Sequence, residues 1–61
     1  MLPYQQRVIE EKSQLDERIE KLELFLNGPA MIEKTNADLL RIQLSVMRSY
    51  STILQTRILN F

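Results

Sequence analysis

The adjacent breakers Gly28 and Pro29 divide the chain near its midpoint, and they constrain its fold more than any other feature. Gly28 is the only glycine, and the other proline, Pro3, lies near the start, where the first turn of a helix tolerates it. Residues 4–26 are mostly Glu, Lys, Gln, Arg and Leu, which favour helix. Residues 37–60 contain neither Gly nor Pro. The sequence therefore predicts an all-α hairpin with antiparallel helices over about 3–27 and 36–60.

The residues around the breakers predict how each helix is capped. Asn27 and Gly28 suit a left-handed residue at the end of the first helix, and Pro29 cannot continue it. Residues 29–36 form a connector with room for one helical turn. Thr35, with Asp38 three residues later, resembles a capping box, and Asn36 is an equal candidate for the cap of the second helix.

The hydrophobic spacing predicts which faces of the helices pack. The first helix has a narrow apolar stripe, formed by Val8, Leu15, Ile19, Leu22 and Leu26. The second has one stripe for the first helix, at Leu40, Gln43, Met47, Tyr50, Leu54, Arg57 and Phe61, and a parallel one at Leu39, Ile42, Val46 and Ile53. Steps of three and four residues are typical of helix–helix packing. Leu44 is expected outside both stripes.

Two helices bury one strip each, so a chain of 61 residues has little core as a monomer. The second stripe predicts self-association into a homo-oligomeric bundle, with a dimeric four-helix bundle as the simplest closed form and a trimer or ring as alternatives. Charge agrees with pairing of the halves, because residues 1–28 carry a net −2 and residues 29–61 a net +2. The predicted interface comprises Leu39, Ile42, Val46, Met47, Ile53, Leu54, Ile58 and Phe61.

Composition excludes several classes of function. The chain has no Cys and no His, which removes disulfides, thiolate zinc sites and imidazole catalysis. Its carboxylates alternate with Arg and Lys at surface-pair spacing, so we expect neither a metal, nor a cofactor, nor an enzyme. A formal net charge of 0 disfavours nucleic acid as a partner. No apolar run reaches the roughly 20 residues that span a bilayer.

Three polar residues, Lys12, Gln43 and Arg57, lie where the stripes call for apolar ones. In the structural interpretation, Arg57 pairs with Glu11, Lys12 reaches water and Gln43 fixes the register. In the alternative, Lys12, Tyr50 and Arg57 converge in the bundle and hold an anion such as a nucleotide.

A second candidate anion site is the outward face of the second helix. Arg41 and Arg48 recur there with Ser45 and Thr52 at helical spacing, and these side chains could contact phosphates. The alternative is an ordinary solvated surface.

Two strings of residues carry a family resemblance. The first runs from Gln5-Gln6-Arg7-Val8-Ile9 through Glu11-Lys12 to Leu15-Asp16, and the second contains Gln43, Met47, Tyr50, Ile53-Leu54 and Arg57-Ile58. Together they resemble small, largely uncharacterised accessory proteins of tailed bacteriophages. The resemblance implies a phage origin. It also implies inhibition of a host factor or of antiviral defence, because small phage proteins of this kind often act so and some helical ones are sponges for nucleotide signals.

The prediction for function is a non-enzymatic, phage-encoded binding protein in the host cytoplasm. It self-associates and targets a host protein or a component of antiviral defence. One alternative is an oligomeric sponge that sequesters an anionic signal such as a cyclic nucleotide. A second alternative is a structural or assembly accessory of the virion.

Overall fold

The computed structural model describes residues 1–29 and 31–61, which form two helices and no strand. Helix α1 spans Pro3–Asn27 and helix α2 spans Lys34–Leu59. The helices lie side by side and antiparallel, so that the rings of Tyr4 and Phe61 meet edge to face at 5.9 Å. The molecule is a rod of 44 × 15 × 13 Å. The predicted all-α hairpin is confirmed.

Helix α1 has the predicted bounds, but its end is built differently. Its start is fixed by Pro3 in the first turn and by the Gln5 side chain, whose Oε1 accepts the Leu2 N–H at 3.0 Å. Gly28, at the end, is extended, with φ −87° and ψ −176°, so the predicted left-handed cap is wrong. The reason is that the ring of Pro29 disfavours helical geometry in the residue before it.

Helix α2 begins two residues before its predicted start and ends one residue before its predicted end. Glu33 precedes it and makes no side-chain capping bond, so neither Thr35 nor Asn36 is the cap. The extra turn is held by the Ala37 N–H, which donates to the Glu33 carbonyl at 2.9 Å, and by a Lys34–Asp38 ion pair at 2.7 Å. Residues 31–33 are not helical, and Ala30 lies outside the described residues.

The core runs along one face of each helix in steps of three, four or seven residues. Its buried members are Val8, Leu15 and Ile19 of α1 with Leu44 and Leu54 of α2, and its half-buried members are Leu22, Leu26, Met47 and Ile58. Leu54 is completely buried. The expectation that Leu44 lies outside the stripe that packs on α1 is wrong, because it is 7% exposed and part of the core.

The face of α2 that packs on α1 is therefore rotated from the predicted one. It follows Ala37, Leu40, Leu44, Met47, Ser51, Leu54 and Ile58, all of them buried or half-buried. Gln43, Tyr50 and Arg57 lie outside it and are exposed. The physical reason is the cost of burying polar groups: the observed face carries one small hydroxyl, at Ser51, whereas the predicted face carried an amide, a phenol and a guanidinium.

Four apolar residues on the other side of α2 have no partner within the described chain. Leu39, Ile42, Val46 and Ile53 are between 57% and 63% exposed, and we call them the outer stripe. The predicted interface residues thus divide between two faces. Met47, Leu54 and Ile58 belong to the hairpin core, whereas Phe61 packs on Tyr4.

Candidate functional site

A polar cluster interrupts the core between the two helices. The Lys12 ammonium lies 2.5 Å from Asp16 Oδ2, and the Ser51 hydroxyl donates to Asp16 Oδ1 across the helix interface. The hydrogen bond from Lys12 lowers the pKa of Asp16, and the one from Ser51 lowers it further. Lys12 is thus engaged by a carboxylate on its own helix, and its side chain is only 21% exposed. The expectation that it extends into water is wrong.

A second link joins Tyr50 on α2 to Glu11 on α1. The Tyr50 hydroxyl donates to the Glu11 carboxylate. This hydrogen bond raises the pKa of Tyr50, as do burial and the charge of Glu11, whereas the positive charge of Arg57 opposes the shift. Arg57 lies two helical turns from Tyr50 on the same side of α2. We call Glu11, Tyr50 and Arg57 the tyrosine flank.

Arg57 carries a positive charge without an ion-pair partner in residues 1–29 and 31–61. The predicted Arg57–Glu11 pair is absent there, because Glu11 accepts the Tyr50 hydroxyl instead. The other polar residue of the predicted packing face, Gln43, contacts Met47 Sδ of its own helix at 3.9 Å. Within residues 1–29 and 31–61, the Gln43 side chain makes no hydrogen bond to α1 that would fix the register of the two helices as predicted.

Arg41 and Arg48, the predicted phosphate contacts, are both exposed and both paired. Arg48 donates through Nε at 3.1 Å and Nη2 at 2.6 Å to Glu23 Oε1, which ties α2 to α1. Arg41 lies 3.7 Å from Asp38 Oδ1 on its own helix. The Thr52 hydroxyl donates to the Arg48 carbonyl. Carboxylates therefore neutralise much of this basic surface.

The predicted ligand residues do not enclose a cavity in one copy of the chain. The described residues contain no pocket and no group of His, Cys, Asp and Glu that could hold a metal. Tyr50 and Arg57 are neighbours on an open surface, and Lys12 is occupied by Asp16. A ligand held by these residues would need a second molecule to cover it.

The sequence reasoning missed three residues that organise this surface. Asp16, Glu23 and Ser51 make cross-helix contacts in addition to the Tyr50–Glu11 link, and none of the three was predicted to join the helices. A signal for Ser51 existed, because it continues the steps of three and four residues through Met47 and Leu54.

Neither of the described helices is long and apolar enough to cross a membrane.

Comparison with known proteins adds one finding. The model of the family described as Sequestin matches residues 2–60, which include both helices and the connector. No curated protein and no solved structure gives a significant match to the chain.

Proposed function

The chain belongs to the Sequestin family, and on that premise we propose that it is a phage-encoded binding protein. It self-associates and holds a host protein or a component of antiviral defence in the bacterial cytoplasm, without catalysing a reaction. The family's name is consistent with a protein that sequesters its partner. The phage origin rests on the resemblance described above.

The observation that carries this proposal is the outer stripe. A two-helix fold has no interior large enough for a deep cleft, so its binding surfaces lie on the outside of the helices. The four apolar side chains of the stripe lie along one side of α2 and are each more than half exposed. Stable monomers expose apolar side chains singly rather than in a continuous row of this kind. A chain with this surface is suited to bind other molecules, its own copies included.

The tyrosine flank favours a second candidate, the sequestration of an anionic nucleotide. Tyr50 offers a ring face for stacking, and Arg57 offers a guanidinium that no carboxylate of the described chain neutralises. Tyr50 follows Val46 by four residues and Arg57 follows Ile53 by four, so the flank borders the outer stripe. In an oligomer formed through that stripe, a neighbouring copy would cover the surface around Tyr50 and Arg57, which is open in a single copy.

The test is a capture experiment with the tagged protein in lysate of a phage-sensitive bacterium. Captured proteins and small molecules released by denaturation are both identified by mass spectrometry. A panel of cyclic mono- and dinucleotides is then tested for its effect on thermal stability. A ligand at a hundredfold excess over its dissociation constant adds about 2.7 kcal/mol of stability.

Arg57→Gln and Arg41→Gln form a matched pair, because each removes one exposed arginine of α2 from a different side of the helix. Nucleotide sequestration predicts that Arg57→Gln abolishes the thermal shift and Arg41→Gln retains it. Stoichiometric capture of one host protein without any nucleotide shift supports the first candidate. A chain that captures neither protein nor nucleotide contradicts a sequestering function.

A further inference from the structure

We infer that the outer stripe is covered by α2 of a second copy that runs antiparallel, with a two-fold axis between Val46 and Ser49. This inference rests on the self-association in the proposed function, and it specifies the surface, the direction and the register. The argument uses the exposed area of the chain, the spacing of the stripe and the charges at the ends of α2.

The chain exposes more surface than a compact monomer of its mass, and the excess is about the area that one additional interface would bury. The chain exposes 4815 Å², whereas a compact monomer of its 7.2 kDa exposes about 4,100 Å². The excess of about 700 Å² is close to the roughly 800 Å² that each partner buries in a standard interface. One more helix packed along the length of α2 accounts for an area of this size.

The spacing of the stripe fits a second copy of the same helix. With Ser49 included, its members follow one another by three, four, three and four residues, which is the pattern of a packed helix pair. None of these residues is charged, and all belong to one uninterrupted helix. Such a surface is self-complementary, so a two-fold contact closes on itself and leaves no stripe exposed.

Charge decides the direction. Helix α2 carries Lys34 in its first turn and Arg57 in its last, and neither forms an ion pair with a carboxylate of α1 within residues 1–29 and 31–61. A parallel pair would bring each of these cations close to its own copy and would align two helix dipoles. An antiparallel pair separates the like charges and, about an axis between Val46 and Ser49, places Arg57 level with Asp38 of the other copy.

The register follows from the overlap of the two helices and from the three- and four-residue steps of the stripe. The midpoint of Lys34–Leu59 falls between Val46 and Met47, one residue from the inferred axis between Val46 and Ser49, so this axis gives nearly full overlap. It packs Val46 against Ser49 of the other copy, and Ile42 against Ile53. The small Ser49 at the centre allows the helices to approach closely.

The chain has no cysteine, so single cysteines can test this geometry directly. Ser49→Cys and Thr56→Cys are matched, because both replace an exposed hydroxyl on the same side of α2, two turns apart. In the inferred dimer, the two copies of residue 49 are offset by about 4.5 Å along the axis and those of residue 56 by about 25 Å. The probe is a bismaleimide that spans about one interhelical distance, roughly 10 Å.

We expect covalent dimer from Ser49→Cys and none from Thr56→Cys. A mixture of Thr56→Cys and Leu39→Cys should give the heterodimer. Equal cross-linking of both single variants would overturn the antiparallel direction. Cross-linking of neither, in a protein that still sediments as a dimer, would overturn the choice of surface while self-association stands. A chain that sediments as a monomer would contradict both this inference and the self-association on which it rests.

Discussion

The two faces of α2 are both apolar, yet one is buried and the other is not. Leu54 is 0% exposed and its neighbour Ile53 is 57% exposed. Both belong to stripes with helix-pair spacing, so hydrophobicity alone does not tell which stripe meets α1. The difference lies in the polar positions: the inner face is interrupted by Ser51, whose hydroxyl is satisfied by Asp16. Polar partners therefore select the face of α2 that packs within the chain.

Truncation of Leu54 and of Ile53 should separate the two faces of α2 by the largest effect. Leu54→Ala removes a fully buried side chain and should lower the free energy of unfolding by about 2–5 kcal/mol. A hairpin with so small a core has little stability to spare, so we expect loss of the helical circular-dichroism signal near room temperature. Ile53→Ala leaves the hairpin core intact, so it should lose less helical signal, and its loss should depend on protein concentration because its contacts lie between copies. Equal losses in the two variants, both independent of protein concentration, would show that the faces do not differ.

The outer face is tested by placing a charge on it. Ile53→Glu should prevent self-association, because it removes an apolar contact worth about 1.5–3 kcal/mol per copy and requires burial of a carboxylate. Sedimentation should show a lower mass than that of the unmodified chain. The melting temperature should no longer rise with protein concentration. Gln55→Glu, on the same helix but outside the stripe, should leave both measurements unchanged; an equal effect there would indicate general charge repulsion.

The polar cluster predicts a smaller effect that depends on pH. Asp16→Asn removes the charge paired with Lys12 and should cost about 0.5–1 kcal/mol, since the Asp16 side chain is 43% exposed and solvent screens the pair. Because the folded state lowers the pKa of Asp16, the stabilisation is present above its unfolded value, near pH 4, and is lost as pH falls through the folded value. Thermal melts from pH 7 to pH 2 should show the two proteins converging at low pH. A constant difference would contradict this role of the carboxylate.

The smallest effect is expected at the exposed link between the helices. Arg48→Gln breaks the ion pair with Glu23 and should lower stability by about 0.5 kcal/mol or less, since both side chains are exposed to solvent. The difference from the unmodified protein should shrink in thermal melts at high salt. A loss of stability as large as that of Leu54→Ala would contradict the assignment of Arg48 to a solvent-screened surface ion pair.

The sequence was sufficient for the hairpin and for the bounds of α1, because Gly28 and Pro29 end that helix whatever else surrounds them. It was insufficient for the packed face of α2, where two stripes compete and only the contact with α1 selects Leu44 and Ser51. The start of α2 was missed because backbone and ion-pair contacts of Glu33 and Lys34 extend the helix without a side-chain cap.

The candidate site was predictable only in part. The proximity of Tyr50 and Arg57 follows from their spacing, which the sequence provides. The Lys12–Asp16 pair follows from i,i+4 spacing within α1, whereas the partner of Tyr50 does not follow from the sequence, since Glu11 accepts from Tyr50 only through the rotation of α2 against α1. Pairings between the helices depend on which side of each helix faces the other.

Sedimentation equilibrium of the unmodified chain at micromolar concentration tests the central claim most directly, because the claim is that the outer stripe joins copies of the protein. We predict a particle of at least twice 7.2 kDa, with a melting temperature that rises with concentration. A folded particle of 7.2 kDa, with one sharp and concentration-independent unfolding transition, would contradict it.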